Sequence, residues 1–251
     1  MKIVAFIPAR FASTRFEGKP LAPILGKPMI RHVYEGVSQS KTLSEIIIAT
    51  EDERIYNEAK SFGAKVVMTS ASHLSGTDRI IEASKDIEAD IILNIQGDEP
   101  LVNIEIINAL ATPFKEDKSV LYTSVKTPIY SYEEFIDPNN VKVVVNKDDF
   151  GLYFSRSPIP FDRNYNPEEF KDKKILFGYK HLGFYGYRKD FLLTFEKLPQ
   201  SYLEKKEMLE QLRAIENGYK IKVVTVSFST IPVDVPSDIK KVENYLLNLY
   251  N

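Results

Sequence analysis

Short, nearly continuous apolar runs alternate with amphipathic stretches through the first hundred residues. The runs at 2–7, 45–50 (Glu-Ile-Ile-Ile-Ala-Thr) and 90–95 (Asp-Ile-Ile-Leu-Asn-Ile) lack the regular polar alternation of a half-exposed strand. Such runs mark parallel strands covered on both faces. Between them, 28–39, 52–62 and 77–86 carry apolar residues at three- and four-residue spacing and predict helices. Strand–helix alternation implies right-handed βαβ crossovers, hence an α/β fold whose sheet is mostly parallel and flanked by helices.

From about residue 118 the pattern changes. Strands are expected at 120–126, 141–146, 151–155 and 181–187, with fewer helices between them, which gives a smaller antiparallel extension. The segment 157–174, rich in Pro, Asp, Asn and Lys, reads as an exposed excursion, either a dimer contact or a mobile lid. A helix at 203–217 stops at Asn217-Gly218, a strand follows at 220–227, and a helix entered through Pro236-Ser237 runs over 236–249. Three portions result: 1–118, 119–220, and a returning strand and helix at 221–251.

Charge and composition narrow the function classes. A formal net charge of −2 argues against a general nucleic-acid binder. With no cysteine, neither disulfides nor thiolate chemistry operate. No apolar run reaches the ~20 residues of a membrane span, and the N-terminus opens into a strand without a signal-peptide pattern. A cytoplasmic enzyme without a membrane partner is the expectation.

Basic charge is instead concentrated in the first loop, Ile7-Pro-Ala-Arg-Phe-Ala-Ser-Thr-Arg-Phe-Glu-Gly-Lys-Pro-Leu21, which directly follows a strand. Ligands of α/β proteins bind beyond the carboxyl ends of the strands, and Arg10, Arg15 and Lys19 would lie there. Guanidinium forks and a lysine ammonium suit the oxygens of a polyphosphate, though a solvated basic loop has the same composition. Gly18-Lys19 is followed by Pro20, so the loop is not a P-loop, and no G-x-G-x-x-G follows a strand. Asn94-Ile-Gln-Gly-Asp-Glu-Pro100 ends another strand and aims Asp98 and Glu99 at the same crevice. A carboxylate there is placed to hold Mg²⁺, which shares oxygen ligands with phosphates.

Four further segments carry candidate residues. In His73-Leu-Ser-Gly-Thr-Asp-Arg79, Ser75 and Gly76 suit backbone recognition of a base or ribose, or a plain helix cap. Arg156, at a strand end, would clamp a substrate carboxylate, and His181, Gly183 and Tyr185 alternate onto one face of a strand. On the 203–217 helix, Met208, Leu209, Leu212 and Ile215 form the buried stripe. A helical wheel puts Gln211 at the stripe's edge and Glu210 nearly opposite, favouring Gln211 as a pocket residue. Asp234, between two prolines, is a second carboxylate for a metal shared with Asp98, while Asp238 reads as an early helix residue.

Taken in order, IPARFASTRFEGKPL, HLSGTDR, NIQGDEP, VKVVV, YFSRSPIP, HLGFYGYR, LEKKEMLEQLR and PVDVPSD closely resemble the 3-deoxy-manno-octulosonate cytidylyltransferase (CMP-Kdo synthetase) family over nearly the whole chain. The resemblance implies a nucleotide-diphospho-sugar transferase-like fold, a homodimer, and transfer of CMP from CTP to 3-deoxy-D-manno-octulosonate (Kdo) with Mg²⁺, for lipopolysaccharide biosynthesis. It makes 1–118 the nucleotide-binding core and 119–220 the sugar-binding and dimerisation portion. It assigns Arg10, Arg15 and Lys19 to the triphosphate, with Lys19, Asp98 and Arg15 catalytic. Ser75, Gly76 and Gln96 would meet cytidine, and Asp98 and Asp234 the metal. Arg156, His181, Tyr185, Glu210 and Gln211 would line the sugar site. Two departures stand out: Pro232 and Val235 flank Asp234 where the family has Gly and Thr, and Glu17 replaces a proline. Activation of another acidic sugar, such as 8-amino-Kdo or a sialic acid, and a non-catalytic nucleotide-sugar-binding homologue are the alternatives.

Overall fold

The computed structural model describes residues 1–73, 75–164 and 174–249. Among these residues the frame is one nine-stranded sheet, beside which β2 (Pro23–Ile24) and β3 (Lys27–Pro28) form a small ribbon and α5 (Tyr132–Ile136) a single short helix. Strand β1 (Ile3–Ala9) lies in the interior, parallel to β4 (Glu45–Thr50) on one side and β6 (Ile91–Asn94) on the other, and β5 (Lys65–Met68) closes the edge beyond β4. Side chains of β1 alternate between two cores. Ile3, Ala5 and Ile7 pack with Ile30, Val33, Ile55, Ile106 and Leu110, whereas Val4 and Phe6 pack with Ile80, Ile81 and Phe191. Burial of every β1 residue explains the unbroken apolar run, and each large side chain so buried contributes roughly 2 kcal/mol.

The covering helices are α1 (Met29–Ser38), α2 (Glu53–Ser61) and α4 (Ile104–Glu116) on one face, with α3 (Gly76–Ser84) and α6 (Lys189–Glu196) on the other. Helix α4 and strand β5 are absent from the sequence reading. Pro113 sits inside α4 and resembles a breaker, yet Asn103 caps the helix by accepting from Ile106 N at 3.2 Å. The helices expected at 28–39, 52–62 and 77–86 are found within two residues at each end.

The second half does not form a separate layer. Strand β10 (Gly178–Arg188) is antiparallel to both neighbours and sits between β6 and β7 (Tyr122–Ile129), and β11 (Ile221–Thr225) runs parallel to β7 at the far edge. The hairpin of β8 (Lys142–Val145) and β9 (Gly151–Ser155) hangs from β10 through β8. The portions 1–118, 119–220 and 221–251 therefore all contribute strands to one sheet. Of the 157–174 excursion, residues 165–173 lie outside the described residues.

The single helix expected over 203–217 is two short ones, α7 (Tyr202–Glu207) and α8 (Leu212–Glu216). Met208 ends α7 in the left-handed conformation, φ 54°, and is 77% exposed, so it does not belong to the buried stripe. No glycine or proline marks this break. The chain ends in α9 (Asp238–Leu249), where Asp238 accepts from the backbone N–H groups of Asp234 and Val235.

Candidate active site

Crossovers from β1 lead through α1 to β4 and β5, then back through α3 to β6 on the other side. The strand order reverses between β1 and β6, and at such a switch point a crevice opens beyond the strand ends. A cleft of about 310 Å³ lies there, lined by Arg10, Arg15, Lys19, Ser75, Gly76, Gln96 and Asp98 among others. All the residues assigned from sequence to phosphate and nucleoside therefore meet.

Local structure explains the basic loop. Gly18 takes φ 68°, a left-handed conformation that costs glycine little, and donates from its N–H to Phe11 O at 2.9 Å. Phe11 is in turn clamped by the Arg54 guanidinium 3.3 Å over its ring. The 3₁₀ turn Lys19–Leu21 then delivers Lys19 Nζ to Asp98 Oδ2 at 2.7 Å and Val233 O at 2.9 Å. Asp234 Oδ1 lies 3.8 Å from the same ammonium and 3.1 Å from Arg15. Sequence separation could not show that Asp98 and Asp234 meet; the structure brings both to Lys19.

Opposite the loop, α3 points its N-terminus into the cleft. Ser75 forms a capping box, its Oγ accepting from Asp78 N and its own N–H donating to Asp78. Ser75 is thus a helix cap that also faces the cleft. Arg79, passed over in the sequence, is buried, donates to Thr69 Oγ1 at 2.6 Å and pairs with Glu51 at 2.9 Å. It supplies a further cation on the cleft wall.

A second cavity of about 210 Å³ is lined by Glu99, Asn140, Lys180, His181, Tyr185, Gln211 and Thr230 among others. Its wall depends on a bulge in β10, where Gly183 and Phe184 are skipped in the pairing with β7. The Ser124 hydroxyl fills the bulge, lying 2.8 Å from His181 Nε2 and donating to Phe184 O at 2.9 Å. Two skipped residues preserve the side-chain alternation, so His181 and Tyr185 remain on one face with ring centroids 5.5 Å apart. Buried Lys142 braces the opposite wall, donating to the carbonyls of Asp137, Asn140 and Arg156.

Burial sets the protonation of this cavity. It pushes the Glu99 carboxyl up to about 8, with the Asp98 charge adding to the effect. It pushes His181 down to about 3, so the ring is neutral near pH 7. From about pH 6.5 down to about 3 the unfolded chain binds a proton that folded His181 refuses. Stability attributable to this histidine is therefore present above pH 6.5 and lost on acidification, at about 1 kcal/mol per pH unit. Urea unfolding at pH 7 and pH 5 should show a smaller pH dependence for His181→Gln than for the unaltered protein. Equal slopes would contradict this protonation state.

Two sugar-site expectations meet a different geometry. Glu210 lines neither cavity, and the break at Met208 voids the helical wheel that put it opposite the buried stripe; its Oε1 accepts from Thr77 Oγ1 at 2.5 Å, on α3. Burial raises the Glu210 carboxyl above its usual range. Arg156 is not on the cavity wall: its Nε donates to Glu207 O at 2.8 Å and its guanidinium NH1 to Pro138 O at 3.1 Å. The cation on that wall is Lys180.

A family model described as Cytidylyltransferase matches residues 4–221. The 3-deoxy-manno-octulosonate cytidylyltransferase of Geotalea daltonii is 50% identical over 96% of this chain and 97% of its own length. That of Fusobacterium nucleatum is 47% identical over 98% and 97%. The chain belongs to the 3-deoxy-manno-octulosonate cytidylyltransferase family. Among solved structures, a CMP:2-keto-3-deoxy-manno-octonic acid synthetase complexed with CTP superposes with a TM-score of 0.91 at 41% identity, covering 99% of both chains. The 4-diphosphocytidyl-2C-methyl-D-erythritol synthase of Anaerococcus prevotii, 16% identical with a TM-score of 0.62, covers 98% of this chain and 99% of its own and shares the fold. The family's nucleotide-diphospho-sugar transferase-like α/β architecture is thus the one found here.

Proposed function

We propose that the protein transfers CMP from CTP to Kdo, giving CMP-Kdo and diphosphate. The observation carrying this reading is the junction of two sites in a member of this family. A cation-rich cleft at the strand switch point adjoins a cavity lined by His181, Tyr185 and Gln211, and Asp98 and Glu99 are neighbours in sequence that face one each.

In this reading the triphosphate lies against Arg10, Arg15 and Lys19, and the cytidine against Ser75, Gly76 and Gln96. A sugar hydroxyl attacks the α-phosphorus, its proton passing to solvent as the new O–P bond forms, and the bond to diphosphate breaks on the opposite side. Arg15 and Lys19 balance the charge that collects on the departing diphosphate. His181, neutral because of burial, acts as a fixed hydrogen-bonding group and not as a proton acceptor. The rest of the contribution is positioning, since two bound reactants held in line avoid most of the entropic cost of meeting.

Mg²⁺ fits the donor set. Asp98 and Asp234 converge on one positive charge, the Lys19 ammonium, and offer the hard oxygen ligands that Mg²⁺ prefers. These two aspartates would hold it, and when bound it would polarise the phosphate and screen its charge. Pro232 precedes Val233, whose carbonyl accepts from Lys19, so the altered residues around Asp234 still leave it at the site.

The same proposal takes the cytoplasm as the compartment, a homodimer as the assembly and lipopolysaccharide as the product's destination. Among the described residues no helix is long and apolar enough to cross a membrane. Diphosphate release from CTP should be measured with Kdo, 8-amino-Kdo and a sialic acid, with sedimentation velocity on the same preparation. Fast release with Kdo alone is expected; release with another sugar only, or with none, sinks the assignment, and a monomer sinks the assembly.

A further inference from the structure

Three buried polar atoms that find no hydrogen-bond partner among the described residues belong to the lining of the second cavity: Glu99 Oε2, Gln211 Nε2 and Thr230 Oγ1. Such atoms are rare in folded proteins, and a water, an ion or a bound ligand is what completes their bonding. Gln211 is fixed in this role, because its Oε1 already accepts from Tyr185 OH at 3.3 Å, which turns the amide nitrogen free. Gln211 is 2% exposed and Thr230 3%, so neither reaches bulk water.

Lys180 lies on the same wall, its side chain 15% exposed. Its ammonium has one ion pair, at 3.3 Å, with a Glu134 carboxylate that is one-third exposed. A pair that long and that wet is weak and easily exchanged for a better acceptor. Arg156, the residue expected to hold the sugar's acid group, spends guanidinium donors on two backbone carbonyls outside this wall. The cavity thus offers an ammonium, an amide N–H₂ and a hydroxyl, all able to donate.

We propose that Lys180 is the residue that recognises the carboxylate of the sugar, with Gln211 Nε2 and Thr230 Oγ1 donating beside it. This rests on the reading of the protein as an acidic-sugar cytidylyltransferase. A surplus of donors around one weakly paired cation is complementary to a carboxylate and poorly matched to a neutral ketose. Glu99 Oε2, the third such atom, sits on a carboxyl that faces Thr230 and Lys180 and is left for a sugar hydroxyl. Selection of an acid over its neutral analogue then comes from one exchange. Lys180 leaves Glu134 for the ligand, and a ligand lacking the charge cannot draw it away.

The test is calorimetric binding of Kdo and of its carboxamide analogue to the unaltered protein, Lys180→Met, Lys180→Arg and Arg156→Met, with CTP affinity and melting temperature measured alongside. Binding is read without turnover, so a protein that binds Kdo but releases no diphosphate defeats the proposed function and leaves this inference standing. Lys180→Met should weaken Kdo by about 10- to 100-fold, leave CTP within twofold, and erase the preference for acid over amide. Lys180→Arg should keep that preference. The proposal fails if Lys180→Met still prefers the acid, if Arg156→Met is the variant that loses the preference with CTP binding and melting intact, or if the unaltered protein binds acid and amide alike.

Discussion

Asp98→Asn is expected to lower kcat for diphosphate release by about 10²–10³-fold while CTP affinity stays within a few-fold. Asparagine keeps the size of the side chain and one acceptor oxygen, so Lys19 Nζ, now 2.7 Å from Asp98 Oδ2, retains a partner. What is lost is the negative charge that, with Asp234, frames the Lys19 ammonium and would hold Mg²⁺. The contacts proposed for CTP come from Arg10, Arg15 and Lys19, and removing an anion beside them does not weaken them. A fall in kcat without a rise in KM for CTP is the signature of an interaction made mainly in the transition state. Steady-state kinetics in excess Mg²⁺, paired with calorimetric titration of CTP, read the two effects separately. A kcat within threefold of the unaltered protein would remove Asp98 from the mechanism.

Gly97→Ala should combine the second-largest loss of activity with a measurable loss of stability. A methyl group at Gly97 would stand 2.6 Å from the carbonyl oxygen of Pro8, a backbone atom that cannot rotate aside. Strands β1 and β6 run side by side, and Gly97 follows β6 where its chain crosses the end of β1. The extra methyl forces the two chain ends apart at a cost of about 1–3 kcal/mol. Gln96 and Asp98 flank the shift, and displacing reacting groups by about 1 Å can cost on the order of 10²-fold in rate. Gly76→Ala is the comparison, because its methyl would meet side-chain atoms alone, a Pro8 carbon at 3.2 Å and Gln96 Oε1 at 3.7 Å, and no backbone. Urea unfolding and CTP turnover should both separate the two variants; matching behaviour would mean that the Gly97–Pro8 approach has no special importance.

What could be read in the sequence follows from how locally each feature is determined. Strands β1, β4 and β6 were visible because burial on both faces leaves an apolar run that needs no knowledge of neighbours. The cleft was visible for a related reason: Arg10, Arg15, Lys19 and Asp98 sit at strand ends, and the α/β topology sends strand ends to one place. The turn at Met208 was not visible, since a non-glycine residue in the left-handed conformation carries no compositional mark, and the wheel drawn through it misplaced Glu210. Helix α4 was hidden by Pro113, tolerated in its last turn. Arg156 and Lys180 are both cations on strands or at their ends. Only the packing of β8, β9 and β10 decides which faces the second cavity.

The place of β10 has a consequence for how the chain must assemble. Residues 178–188 are the wedge between β6 and β7, so β6 keeps a bare hydrogen-bonding edge until most of the polypeptide has been made. The half that lines the first cleft cannot be excised as a working module: cut after residue 118, it would present that edge to any neighbour and invite pairing between chains. Closing the sheet also means joining partners far apart in sequence, which favours slow folding of the whole over early folding of a part. The second cavity, lined by Lys180, His181 and Tyr185 of this strand, therefore forms only when the sheet closes.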